Sequence, residues 1–228
     1  VIKRVNGDMQ RNDDIRMKVN NYLQLDVPYE GQTTVLHYLE VLRDRIGWDA
    51  VAAKVKNPLK DKKIGAYYGC LLLRPSREMQ FDDPENPTIL EDFIRAIGAE
   101  PVYYGMRNEC CGGYTTIENR AYASKQAQKI ADSAKAQGAE LLITACPLCL
   151  YNLSQNTDGT LPVRYFTELL AEALGVGGGC GMKEDLMNEI QRIAGVNPRK
   201  CMRCGKCSGA CPAYDGDGIP SAPVRLDG

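Results

Sequence analysis

The first 69 residues of this 228-residue chain hold no cysteine, and the whole chain has one histidine, His37, and one tryptophan, Trp48. No charge of one sign dominates: 28 Lys and Arg stand against 29 Asp and Glu, a formal net charge of −1. That balance argues against a dedicated nucleic-acid or anionic-membrane binder, which would carry a basic excess or basic runs. Long apolar runs are also missing, and nothing approaches the roughly 18 uninterrupted apolar residues of a membrane helix. The opening stretch, VIKRVNGDMQRNDD, is polar and lacks the apolar core of a signal peptide. A soluble, cytoplasmic protein is expected. With 44% hydrophobic residues the chain can still build a real core, and its length suits one ordinary domain plus something small.

What the chain has in excess is cysteine, ten residues that begin at Cys70. Their density is about half that of a secreted disulfide scaffold. Most are packed as Cys-Cys or Cys-x-x-Cys, pairs whose tiny rings would restrain the unfolded chain very little. In a chain that looks cytosolic, this arithmetic favours metal or redox chemistry. With a single histidine on hand, any such site is mostly thiolate.

Residues 1–56 read as helical, with Val35, Leu39, Leu42 and Ile46 on one face of a helix that stops near Gly47. KIGAYYG, 63–69, reads as a buried strand ending at Cys70. A helix follows with Ile89, Phe93 and Ile97 in register and Gly98 as its stop. PVYYG, 101–105, reads as a second strand. Thr115 and Glu118 form a capping-box pattern ahead of a long helix lined by Ala123, Ala127, Ile130, Ala131 and Ala134. ELLITA, 140–145, is a third strand running into Cys146, and a last helix covers about 166–174. The alternation predicts an α/β fold with a parallel sheet and right-handed crossovers. Four regions result: a helical N-terminal segment (1–57), a cysteine-rich α/β domain (58–175), a Gly-rich linker (176–182) and a small ferredoxin-like iron–sulfur segment (183–228). The glycines of the linker follow a helix, not a strand, so they do not make a nucleotide-binding turn.

Sites in open parallel sheets gather at the carboxyl ends of strands. Cys70 and Cys146 stand there directly, and Cys110–Cys111 lies five residues beyond the second strand. Three loops could therefore bring together Cys70, Cys110, Cys111, Cys146 and Cys149. Adjacent cysteines are awkward ligands for one tetrahedral zinc, and five thiolates exceed the four that zinc or a cubane cluster takes. Pro147 in the first turn after Cys146 puts a helix N-terminus at the sulfurs, which favours thiolate. The alternatives are zinc on four of the five, unligated buried thiols, or a thioredoxin-type redox pair in CPLC alone. A second constellation, Cys201, Cys204, Cys207 and Cys211–Pro212, is the C-x2-C-x2-C-x3-C-P run of bacterial ferredoxins. In two-cluster ferredoxins the fourth cysteine serves the other cluster, whose run is missing here, so either Cys211 serves another site or the chain is incomplete; zinc is the alternative occupant of this run. Cys180 reads as incidental. His37 reads as structural, with a proton donor near the thiols as the alternative. Tyr67, Tyr68, Tyr103 and Tyr104 read as core aromatics, and Lys60–Lys63 as solvated surface.

The pattern Cys70…Cys110–Cys111–Gly112…Cys146-x-x-Cys149 resembles the cysteine-rich CCG domain. The surrounding AYYGCLLLRP, NECCGG, TACPLC and PVRYFTELLAEALG are similar to the B subunit of heterodisulfide reductase over about residues 1–174. The residues from about 183 resemble the start of the ferredoxin-type C subunit. The resemblance implies a noncubane 4Fe-4S cluster on Cys70, Cys110, Cys111, Cys146 and Cys149. It also implies a cubane 4Fe-4S cluster on Cys201, Cys204, Cys207 and Cys211. The activity implied is reduction of a disulfide to two thiols, of the kind that acts on the coenzyme M–coenzyme B disulfide in methanogenesis. Electrons would come from a flavin-containing partner similar to the A subunit, within a complex of heterodisulfide reductase subunits. The B subunit carries two CCG repeats and this chain one, so the resemblance also calls for a first CCG half or a partner chain that supplies it. Iron–sulfur subunits of glycolate or lactate oxidation and of thiol-dependent fumarate reduction share the CCG domain. They commonly place the ferredoxin part first, whereas here it comes last. A zinc-stabilised relay module without catalysis is the third reading.

Overall fold

The computed structural model describes residues 2–176. The ferredoxin-like segment and the linker from residue 177 onward, with Cys180, Cys201, Cys204, Cys207 and Cys211, lie outside the described residues.

Two helices open the chain, α1 (Ile2–Arg11) and α2 (Asp13–Leu23). Asn12 caps α2 by accepting from Ile15 N–H, and Gln24 closes it in the left-handed conformation. The expected run of helix then breaks. Residues 24–37 are irregular, and helix resumes only at α3 (Tyr38–Glu40), which continues as a π-helical stretch over Val41–Ile46. His37 is the reason for the late start. Its Nδ1 accepts from Leu39 N–H at 3.1 Å, while Glu40 Oε2 accepts from His37 N–H at 2.6 Å, a reciprocal cap. Val35 therefore lies outside the helix, and across the wider π turn Leu42 stays buried while Ile46 is half exposed. A short helix, α4 (Trp48–Lys54), completes this segment.

The sheet has four parallel strands in the order β2-β1-β3-β4: β1 (Lys63–Tyr67), β2 (Glu100–Val102), β3 (Leu141–Thr144) and β4 (Val163–Tyr165). The expected parallel α/β architecture is present. The second strand is shorter than PVYYG, because Tyr103 is already half exposed at the sheet edge. The fourth strand went unread in the sequence, since three half-buried residues carry no alternation to detect. Between the strands lie α5 (Ser76–Met79), α6 (Ile89–Ala96), a 3₁₀ turn (Gly113–Thr115), α7 (Arg120–Ala136) and α8 (Pro147–Gln155), with α9 (Phe166–Leu174) last.

Both faces of the sheet are covered, so the central strands are apolar throughout. Ile64, Ala66, Tyr68 and Ile143 pack among residues of α3, α4, α6 and α9. Tyr67, Val102 and Leu142 pack on the other face against α7 and α8. The five expected residues of α7 are all buried; their small side chains let the helix lie close on the sheet. Its cap differs from expectation. Asn119, not Thr115, accepts from the helix amide of Tyr122, and Thr115 Oγ1 instead donates to Gly112 O at 2.8 Å.

Among the described residues one charge is fully buried. Glu91 on α6 has no exposure, and it pairs with Arg107 and accepts from the Tyr68 hydroxyl. Arg107 also lies over the Tyr103 ring, 5.2 Å from its centroid. Arg107→Met strands the Glu91 charge and is expected to lower unfolding free energy by about 3–5 kcal/mol. Urea denaturation of the full chain checks this; a loss under about 1 kcal/mol would match a mere surface pair.

His37 generates a second prediction. Burial against Phe81 and Phe166, 5.2 and 5.9 Å away, holds its pKa below 6.5, outweighing the opposing pull of Glu40 and of the Ala145 carbonyl; Lys3 acts in the same direction as burial. The neutral ring is the form that caps. Its contribution to stability is complete above pH 6.5 and is lost as pH falls through the depressed folded value. His37→Asn keeps a good cap without the titration, so its melting temperature should fall less than that of the parent between about pH 7 and pH 5.

Candidate metal centre

Strand ends decide where the sulfurs go. Cys70 follows β1 by way of Gly69, Cys110 and Cys111 lie in the loop after β2, and Cys146 follows β3 and stands at the N-terminus of α8. All five thiols line one small opening, together with Tyr68, Leu71, Gly113, Tyr114 and Leu148. Cys70 and Cys110 sulfurs lie 3.7 Å apart, as do those of Cys111 and Cys149. All five are free thiols: Cys110 is exposed, Cys70 and Cys146 are half-buried, and Cys111 and Cys149 are buried. The described residues hold no group of three or more Cys, His, Asp or Glu side chains drawn tightly around a single ion point.

The Cys110–Cys111 loop is held by its carbonyl oxygens. Tyr68 N–H donates to Arg107 O at 2.8 Å, and Arg74 Nη1 to Asn108 O at 3.2 Å. The Tyr67 hydroxyl donates to Glu109 O at 2.7 Å, and Asn152 Nδ2 to Cys111 O at 2.7 Å. Backbone N–H groups face the sulfurs instead: Gly112 N–H donates to Cys110 Sγ and Gly113 N–H to Cys111 Sγ, each at 3.4 Å. Such donors favour negative charge at sulfur.

Thiol acidities follow from these contacts. Cys111 is held down to about 6, first by the Cys149 thiol and then, against burial, by Gly113 N–H and the Asn152 amide. Cys146 is likewise held down to about 6 by the Cys149 thiol, and then by the Cys149 and Leu148 amides of the first turn of α8. Cys149, in contact with both thiols, is pushed far up. Burial, then Cys110, pushes Cys70 up to about 11. Two sulfurs are thus ready as thiolates, and the others release protons when metal binds.

Glycine makes room for the sulfurs. A Cβ on Gly69, whose φ is +65°, would sit 2.9 Å from Cys149 Sγ. The donor set and the cradle fit a thiolate-bound cluster better than a single ion. Sequence reasoning picked out the five cysteines but missed Gly69, Tyr67 as a loop tether, Arg74 and Asn152. Only a glycine directly before Cys70 and an amide three residues after Cys149 signalled them. Of the other candidates, Tyr68 and Tyr104 are buried, and the Tyr104 hydroxyl has no partner among the described residues. His37 caps a helix and does not line the opening.

Comparison with known proteins matches residues 64–154 to the family model for CCG, the cysteine-rich domain. This chain carries a CCG domain. The CCG chain is 30% identical over 169 residues to the 8-methylmenaquinol:fumarate reductase membrane anchor subunit of Wolinella succinogenes, covering 70% of this chain and 59% of that protein. It is 24% identical over 205 residues to the B subunit of the ferredoxin:CoB-CoM heterodisulfide reductase of Methanosarcina mazei, 84% of this chain and 68% of the relative. An Archaeoglobus profundus protein, named as like the heterodisulfide reductase B subunit, is 28% identical over 204 residues, 81% of this chain and 68% of that one. The chain thus spans roughly three-fifths to two-thirds of these relatives' lengths. No helix among the described residues of the CCG chain is long and apolar enough to cross a membrane.

Gly69→Ala should displace Cys149 and lower the metal retained per chain, read by elemental analysis. Gly138→Ala is the control, because it shares a positive φ of +85° but its Cβ would meet nothing within 4 Å. Equal metal content in the two variants would show that the Gly69 cradle is not needed.

Proposed function

We propose that this CCG chain is an iron–sulfur component of a disulfide reductase of the heterodisulfide reductase type. The observation that carries the reading is five cysteines from three strand-end loops around one opening, in a domain matched as CCG. Cys70, Cys110, Cys111, Cys146 and Cys149 hold a noncubane 4Fe-4S cluster, and Cys201, Cys204, Cys207 and Cys211 hold a cubane 4Fe-4S cluster. When bound, the first supplies electrons and a Lewis-acidic iron for a substrate sulfur. The overall change balances as R–S–S–R′ plus two electrons and two protons giving R–SH and R′–SH. The electrons originate in a flavin-containing partner, within a complex that includes other heterodisulfide reductase subunits or a further CCG half.

The chain's own residues have definite parts in this scheme. Gly112 and Gly113 N–H groups stabilise anionic sulfur, and Leu71, Tyr114 and Leu148 give the opening an apolar rim. No Asp, Glu, Lys, Arg or His among the described residues lines it; the protic groups that do are Tyr68, Tyr114 and the cysteine thiols. Support for this reading comes from the heterodisulfide reductase relatives. A second reading is favoured by the 30% identity to the fumarate reductase anchor protein: an electron-transferring CCG component of a fumarate reductase. A zinc-stabilised relay is the third, and the spread of the sulfurs disfavours it.

Iron, zinc and acid-labile sulfide per chain, measured after anaerobic purification, separate the two iron–sulfur readings from the zinc one. About eight irons with matching sulfide are expected for two four-iron clusters. About four irons with about one zinc would instead make the five-cysteine site structural. Cys110→Ser should abolish disulfide reduction while leaving the ferredoxin-type EPR signal; loss of both together would sink the two-site assignment.

A further inference from the structure

The five cysteines alone do not explain a buried polar line behind them. Asn152 on α8 has no exposure, and its amide is bonded at both ends. Its Nδ2 donates to Cys111 O at 2.7 Å, while its Oδ1 accepts from Thr116 Oγ1 at 3.1 Å and from Asn156 Nδ2 at 2.6 Å. Asn156 Oδ1 accepts in turn from Arg120 Nε at 3.1 Å. Two donors on the oxygen side fix which way the Asn152 amide faces, so its N–H must point at Cys111 O. Donors running one way from a guanidinium also polarise one another.

The peptide bond between Cys111 and Gly112 is planar and trans, so its carbonyl and its N–H point in opposite directions. Asn152 holds the carbonyl from behind. The same plane therefore presents Gly112 N–H to the front, where it donates to Cys110 Sγ at 3.4 Å. Gly112 has a φ of +77°, which side chains rarely adopt. Without the Asn152 amide, nothing else donates to that carbonyl among the described residues, and the plane is free to turn.

We infer that Asn152 is a positioning residue for the five-cysteine site: it locks the Cys111–Gly112 peptide so that one N–H is aimed at the Cys110 sulfur. The inference rests on the proposed reading of that site as an iron–sulfur centre, where hydrogen bonds to ligand sulfur raise the reduction potential and steady the ligand.

The test uses the full chain purified anaerobically, with Asn152→Ala, Asn152→Asp and, as control, Leu169→Ala. Asp keeps the size and both acceptor contacts but has no N–H for Cys111 O. Leu169 is fully buried in the core on the opposite face of the sheet, so its truncation lowers stability without touching the loop. Both Asn152 variants are expected to shift the EPR signal of the five-cysteine site and lower its midpoint potential. They should also lose iron to a chelator about 10- to 100-fold faster, while Leu169→Ala keeps the parent spectrum and potential. A parent-like spectrum and potential in Asn152→Asp would overturn the role of the amide N–H, leaving Asn152 a packing residue. A parent chain with no iron on the five cysteines would overturn the underlying reading instead, before any variant is compared.

Discussion

Everything at this site depends on a loop being pinned by its carbonyl oxygens. The chain from Arg107 to Cys111 gives up four carbonyls, at Arg107, Asn108, Glu109 and Cys111, to donors on β1, the turn after it, and α8. A peptide group is a dipole with two ends, so anchoring Cys111 O behind the loop leaves Gly112 N–H in front of it, donating to Cys110 Sγ. With Gly113 N–H on Cys111 Sγ, that bond places positive potential where two adjacent sulfurs stand. The N-terminus of α8 adds to that potential at Cys146 from the other side.

The tethers are themselves anchored in the core. Tyr67 at the end of β1 and Tyr68 just after it point to opposite faces, so one hydroxyl reaches Glu109 O on one face and the other reaches Glu91 on the opposite face. Glu91 in turn holds Arg107, the residue at which the loop begins. A buried ion pair gives little net stability against an apolar replacement. Here its value is geometric, because it ties α6, β1 and the ligand loop into one rigid unit.

Much of this was legible in the sequence because it rests on local rules. The alanine face of α7, the glycine stop after α6 and Pro147 opening α8 are each set by steric or propensity effects within a few residues. Placement of Cys70 and Cys146 followed from strand ends in a parallel sheet. The failures have a common physical origin as well. Val35 matched the helical period of Leu39 and Leu42, but a histidine cap at His37 overrode the period. Thr115 and Glu118 had capping-box spacing, but a 3₁₀ turn took Thr115 and left the capping to Asn119. Short β4 depends on pairing with β3, and Asn152 depends on a carbonyl 41 residues away in sequence. Long-range partners leave no local trace.

The spacing of the sulfurs along the chain bears on how the protein matures. Thirty-nine residues separate Cys70 from Cys110, and thirty-four separate Cys111 from Cys146. Those intervals contain the crossovers that make β2 and β3 lie beside β1 in parallel. No fragment shorter than the assembled sheet brings the thiols within reach of one another, and such non-local pairing is slow to form. A cofactor that binds here is therefore added to a finished scaffold. All three strands must be synthesised and paired before the five thiols face one opening.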